Sequence, residues 1–143
     1  MPPADSGIAV RLAERFDAPL SLAARVLMAV LFLLAGLSNA GDVRGFAETL
    51  AADGVPIVLG GLVFWFLILS GLFLILGVLT RPTALAMAGF SLLSGLLAYS
   101  DLAQPTDMVM LLKNIALTGG YLMLALHGPG RWSIDAWRTK FDT

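Results

Sequence analysis

Apolar residues along this chain gather into four long runs, separated by short segments rich in charge, Gly and Pro. The second run, residues 57–79, reads IVLGGLVFWFLILSGLFLILGVL without one charge. At a rise of 1.5 Å per residue its helix is about 35 Å long, more than the ~30 Å hydrocarbon core of a bilayer. The first run, residues 19–39, is apolar except for Arg25, with Asp17 placed to cap it and Pro19 suited to its first turn. The third, residues 82–99, opens on Pro82 and is built largely of Ala, Gly, Ser and Leu. The fourth, residues 108–126, stops at His127-Gly128-Pro129-Gly130, which a helix does not readily continue. The pattern predicts an all-α fold, one membrane domain over residues 1–143 with four transmembrane helices.

The segments between and beyond the runs have a shorter period. Ile8, Leu12 and Phe16 recur every fourth residue opposite Arg11, Glu14 and Arg15, which suits a short helix lying on the membrane surface. Phe46 and Leu50 do the same in the first outer loop, and in the C-terminal tail Ser133 can cap a turn carrying Trp137 and Phe141. Residues 28–37 with Ser38-Asn39-Ala40 also have the outline of a secretory signal, but the charged region ahead of them is long for one, so a retained span is expected.

Four spans put both termini on one side. Arg11, Arg15, Arg81, Arg131, Arg138 and Lys140 fall on that side and only Arg44 in the opposite loops, so the positive-inside rule puts both ends in the cytoplasm. Interior faces are expected where small and polar residues align, because close packing and buried polar contacts hold helices together in lipid. The expected seams are Arg25, Ala29, Phe32, Gly36 and Asn39 in the first span, and Val63, Leu67, Ser70, Leu74 and Gly77 in the second. The third offers Ala84, Ala88, Ser91 and Gly95; the fourth offers Lys113, Ala116, Gly120, Met123 and His127.

Charge sharpens the picture. On insertion scales an Arg or Lys at a helix centre costs about 2.5–3.5 kcal/mol, so Arg25 and Lys113 either snorkel to the headgroups or face a polar pocket. In the second case two polar levels form, Arg25 with His127 near the cytoplasm and Asn39 with Lys113 near the outer surface. Asp135 is available to the inner level and Asp42, Asp101 or Asp107 to the outer one. Asn114, Thr118 and Tyr121 add an amide and hydroxyl stripe to the fourth helix. Arg25, Asn39, Lys113, Asn114 and Tyr121 are therefore the candidate pocket.

Composition removes several chemistries. With 58% hydrophobic and 13% charged residues and a mean hydropathy of +0.86, a water-soluble fold has too little polar surface. A formal charge of −1 provides no basic face for nucleic acid. The absence of cysteine removes disulfides, thiol chemistry and cysteine-ligated clusters, and one histidine supports neither bis-histidine haem nor a structural zinc site. No carboxylate lies inside a span, so no proton relay of the kind used by ion-coupled transporters is legible, and no catalytic residue or metal site is assigned.

Four stretches carry a family likeness: Arg25 with LFLLAGLSNA over residues 31–40; Gly54-Val55-Pro56; Gly77-Val78-Leu79-Thr80-Arg81; and, most specific, KNIALTGGYLMLALHGPGRWSIDAW over residues 113–137. In these the chain resembles the DoxX family of small bacterial membrane proteins. The resemblance implies a four-helix protein of the cytoplasmic membrane, often associated with redox enzymes, some relatives being subunits of a thiosulfate:quinone oxidoreductase. It aligns Arg25, Lys113 and Asn114 with recurrent polar residues, and Arg131, Ser133 and Asp135 with a tail motif. Many relatives carry Lys where this chain has Asn39 and Glu where it has Leu67, a charge pair suited to a quinone headgroup. Its loss implies a noncatalytic accessory subunit of a respiratory or photosynthetic redox complex, with membrane lipid and other membrane subunits as partners and quinone or lipid as the noncovalent ligand. The alternatives are a quinone-interacting oxidoreductase component, or an assembly factor or transporter.

Overall fold

The computed structural model describes residues 4–142, and among these every regular element is helical. In chain order they are α1 (Ala4–Arg15), α2 (Asp17–Ser38), α3 (Val43–Ala52), a 3-10 turn (Ile57–Leu59), α4 (Gly60–Leu76), α5 (Thr80–Ala98), α6 (Pro105–His127) and α7 (Ile134–Thr139). Four are long and apolar enough to cross a membrane: α2, α4 with its leading 3-10 turn, α5 and α6. Their ends lie within three residues of the expected ones, α4 stopping at Leu76 because Gly77 turns into the left-handed region at φ +71°.

One expected cap is corrected, and the start of α5 moves by two residues while Pro82 stays in its first turn. Asp17 is the first residue of α2 rather than its cap, and no side chain caps that end. The carboxylate instead sits in the first turn, where the helix dipole favours negative charge. Pro82 is the third residue of α5, which starts at Thr80.

The spans run up, down, up and down. Helix α2 packs along α4 and α5 along α6, while α4 meets α5, and α2 meets α6, through shorter contacts. Midway through the bundle an aromatic layer joins all four spans. Phe32 of α2 meets Phe90 of α5 edge-on at 5.7 Å and Tyr121 of α6 at 5.5 Å, and Phe90 leans on Phe66 of α4 at 5.2 Å. Close approach of α2 and α4 depends on Gly36, where a Cβ would come 2.7 Å from Ile68, a contact no real side chain tolerates without a shift. Outward-facing leucines such as Leu27 and Leu126 are more than two-thirds exposed, the surface expected of a protein solvated by acyl chains.

Arg25, Ala29, Phe32 and Gly36 are buried as the first seam predicts, with Asn39 half-buried at its outer end. All four residues of the third seam are buried, and in the second Val63 gives way to Phe64. The fourth seam is wrong by one position. Lys113, Ala116, Met123 and His127 are exposed and Gly120 is half-buried, while Asn114, Tyr121, Leu124 and Ala125 face inward. The inner face of α6 is thus the amide and hydroxyl stripe, where Thr118 and Tyr121 donate to backbone carbonyls and Asn114 packs against Gly95. Lys113 and His127 of the neighbouring face remain at the surface, where polar groups are cheaper to solvate.

Candidate functional site

The cytoplasmic end of the bundle is closed by side chains that fasten onto helix ends. The last carbonyls of a helix lack partners inside it and carry partial negative charge; the first N–H groups are their positive counterpart. Arg25, fully buried on α2, donates from Nη1 to the carbonyls of Leu74 and Ile75, both 3.0 Å away at the end of α4, and from Nη2 to the carbonyl of Trp132 in the tail. Arg81, just inside α5, donates to the carbonyls of Ala125 at 3.2 Å and Leu126 at 2.8 Å, which end α6. Asp135 does the converse. Its Oδ1 accepts from the Leu79 N–H and its Oδ2 from the Thr80 N–H, each at 2.9 Å, which covers the start of α5 with a carboxylate.

Local conformation makes these contacts possible. Ser133 caps α7 by accepting from the Ala136 N–H at 3.1 Å, and the Asp135 N–H donates to the Gly77 carbonyl at 2.9 Å, so the tail lies against the turn between α4 and α5. A Cβ at Gly77 would collide with Ser133 and come within 2.6 Å of Arg25 Nη1, so both φ and space require glycine there. Two residues on, Leu79 holds a left-handed backbone at φ +46°, which costs a non-glycine residue about 1–2 kcal/mol and is held by the bond from its N–H to Asp135. Arg25 Nε and the Thr80 hydroxyl are buried here without a hydrogen-bond partner among the described residues. A groove of about 420 Å³ runs between the first turn of α5 and the tail, past Arg81, Pro129 and Thr139. Exposed Arg131 shares a second, polar groove with Glu14 and Asp17.

The five candidate pocket residues lie in different surroundings. Arg25 belongs to the cytoplasmic clasp, and its partners are carbonyls rather than His127, which is exposed. Tyr121, fully buried, donates its hydroxyl to the Met28 carbonyl at 2.9 Å and so ties α6 to α2. Asn114 is buried against Gly95 of α5, where an added Cβ would come 2.8 Å from it. Asn39 ends α2 and donates to the Ala35 carbonyl at 2.7 Å, while Lys113 is exposed and reaches only Met110 Sδ at 3.4 Å on its own helix. Of the expected acidic partners, Asp42 accepts from the Gly45 N–H to cap α3 and Asp101 accepts from the Ala103 N–H. The inner level therefore assembles with carbonyls as acceptors, and the outer one does not bring Asn39 and Lys113 to each other.

Sequence reasoning missed Arg81 as a fastening for α6 and the two-handed cap made by Asp135. The signal was present in the two motifs that meet here, Gly77-Val78-Leu79-Thr80-Arg81 and Ser133-Ile134-Asp135. A helix-ending glycine followed by a new helix start leaves orphan groups that a capping acid elsewhere can serve. The surface segments also divide. Ile8 and Leu12 of α1 and Phe16 after it are exposed, and Trp137 and Phe141 of the tail meet edge-to-face at 4.9 Å while facing outward, as membrane anchors do. Helix α3 instead packs on α4: buried Ala47 occupies the space a Cβ on Gly60 would need.

Comparison with known proteins agrees with this architecture. The DoxX family model matches residues 20–100, more than half the chain. The inner membrane protein YqjF of Escherichia coli strain K12 is 41% identical over 114 residues, covering 80% of this chain and 88% of that protein. The inner membrane protein YphA of the same strain is 27% identical over 123 residues, covering 81% and 88%. No solved structure matches the chain. The chain belongs to the DoxX family and is a multi-pass inner-membrane protein.

Proposed function

We propose that this DoxX-family protein is an integral accessory subunit of a larger redox or energy-converting membrane complex, noncatalytic by itself. One observation carries the reading. The two largest fully buried side chains, Arg25 and Tyr121, are polar groups on which a cofactor site could have been built, and both are bonded to backbone carbonyls of other segments. The interior polarity of the bundle serves its own closure, while four helices present broad apolar sides outward. With no cysteine and one histidine, the chain leaves metal and cluster ligation to a partner. The association of DoxX-like proteins with redox enzymes supports a partner of that kind, and quinone or lipid is the noncovalent ligand such an assembly would hold.

The test is to extract native membranes in mild detergent, capture the tagged protein and identify what accompanies it. The expected result is one stoichiometric redox complex, lost when the tagged protein is displaced from the membrane by full solubilisation. Quinone reduction by the isolated protein with a soluble donor would overturn the noncatalytic reading, and capture of the protein alone from membranes expressing it at native level would overturn the subunit reading.

A further inference from the structure

The C-terminal tail has two sides. One belongs to the clasp: half-buried Asp135 and Ala136 face the first turn of α5, and Thr139 borders the same groove. The other carries the large side chains. Ile134 and Trp137 of α7 and Phe141 just past it follow at spacings of three and four, and they are 37%, 61% and 73% exposed, with Trp132 ahead of the helix 57% exposed.

Depth, side-chain type and charge say what this second side meets. The Trp132 carbonyl is bonded to Arg25, and the Asp135 N–H to the carbonyl of Gly77, which ends α4, so α7 is held level with the cytoplasmic ends of the spans. Tryptophan at that depth sits among lipid headgroups, its ring in the apolar layer and its N–H in the wet one. Arg138 and Lys140 are exposed beside Trp137 and Phe141 in the chain, and neither is paired with an acid among the described residues. Of the two acids in the tail, Asp135 is bonded to the start of α5, which leaves Asp142 as the exposed one. Arg131 adds nothing to this balance, since it shares its groove with Glu14 and Asp17.

From this arrangement we infer that α7 is a latch closed jointly by the bundle and by anionic phospholipid of the cytoplasmic leaflet. The aromatic side enters the headgroup layer, Arg138 and Lys140 meet phosphates there, and anionic lipid thereby holds the clasp shut. The coupling comes from the length of α7. Six residues are too few to stay helical alone. Docking supplies the support: the Asp135 N–H, which a first turn leaves without an internal partner, is satisfied by Gly77, and the Asp135 carboxylate is fixed by Leu79 and Thr80. A released tail no longer holds Ile134, Trp137 and Phe141 on one side and offers lipid less than the docked one does. Lipid therefore favours the docked state, and by linkage each contact strengthens the other.

The latch is independent of the accessory-subunit reading, because its test uses the isolated protein in nanodiscs of phosphatidylcholine to which phosphatidylglycerol is added. Hydrogen exchange at Leu79 and Thr80, whose N–H groups are bonded to Asp135, reads the clasp, and proteinase K cleavage beyond residue 131 reads the tail. Raising phosphatidylglycerol from none to about a third of the lipid should slow both about tenfold. With Arg138→Gln and Lys140→Gln together, both rates should be the same in either lipid, while Trp137→Ser should speed both in either lipid. Wild-type rates that ignore phosphatidylglycerol would overturn the lipid partner and assign the aromatic side to another protein. Slower cleavage with unchanged exchange at Leu79 and Thr80 would show an anchor without coupling and overturn the latch. A lipid effect that survives in the double variant would overturn the role of Arg138 and Lys140, and rates unchanged by Trp137→Ser would overturn that of the aromatic side.

Discussion

At the cytoplasmic end, Arg25, Arg81 and Asp135 bond to groups between 44 and 107 residues away in the chain. At the outer end, Asn39, Asp42, Arg44, Asp101 and Lys113 bond no further than four residues away. The side chains are of similar types and differ in what they hold together. One end of the bundle is stitched across helices by charge-assisted bonds to orphan helix ends. The other relies on the fit of α3 against α4, and polarity there only finishes individual turns. The difference shows between α4 and α5: among the described residues no side-chain bond ties them at the outer end, whereas at the cytoplasmic end the tail binds the turn between them.

If the clasp holds the bundle together, Arg25→Leu should be the most damaging of the changes that test it. Three carbonyls lose their donor, at about 1–3 kcal/mol for each group left unsatisfied, and a loss of roughly 3 kcal/mol in unfolding free energy is expected. In the separated helix an arginine can snorkel to the headgroups, so leucine recovers little in the unfolded state. Unfolding in nanodiscs, with proteolysis of the tail as a second probe, measures both parts. A variant as stable as wild type would remove the basis of the contrast.

A smaller effect is expected from Asp135→Ala, which takes the carboxylate cap from α5 and leaves the turn at Leu79 unsupported. Loss of such a cap costs about 1–2 kcal/mol, and the tail from residue 131 onward should become cleavable at a faster rate while the spans remain intact. Protection of the tail equal to that of wild type would mean that α7 is held by the membrane alone. At the far end of the scale, Lys113→Gln should change stability by no more than about 0.5 kcal/mol, as expected for an exposed residue that touches only its own helix. A loss comparable to that of Asp135→Ala would show that the outer end has a cross-tie of its own.

The spans were legible because runs of some twenty apolar residues have few other uses, and the α2 and α5 seams because Ala, Gly and Ser line one face of each helix. The inward face of α6 was harder to read. Lys113 and Asn114 are neighbours, both polar, and in lipid the apolar residues do not mark the inside as they do in water. The deciding fact is which side chain fits inside, and that depends on the Met28 carbonyl that Tyr121 reaches and on the room Gly95 leaves for Asn114. Arg25 was recognisable as an interior group, but its acceptors were not, because carbonyls at helix ends have no sequence signature beyond the break itself. The packing of α3 on α4, in which Ala47 sits against Gly60, is concealed by a surface-seeking period of four.

The bond from Arg25 to the Trp132 carbonyl joins the first span to a residue near the C-terminus, 107 positions later. At ribosomal rates of about 5–20 residues per second, the first span waits roughly 5–20 s after its own synthesis before that acceptor exists. Throughout that interval a guanidinium destined for the interior stands at the cytoplasmic edge of the bilayer with only part of its final coordination. Closure of the bundle is therefore an event of release rather than of insertion, and chains stalled before residue 132 should leave the end of α4 accessible to cytoplasmic labelling until translation resumes.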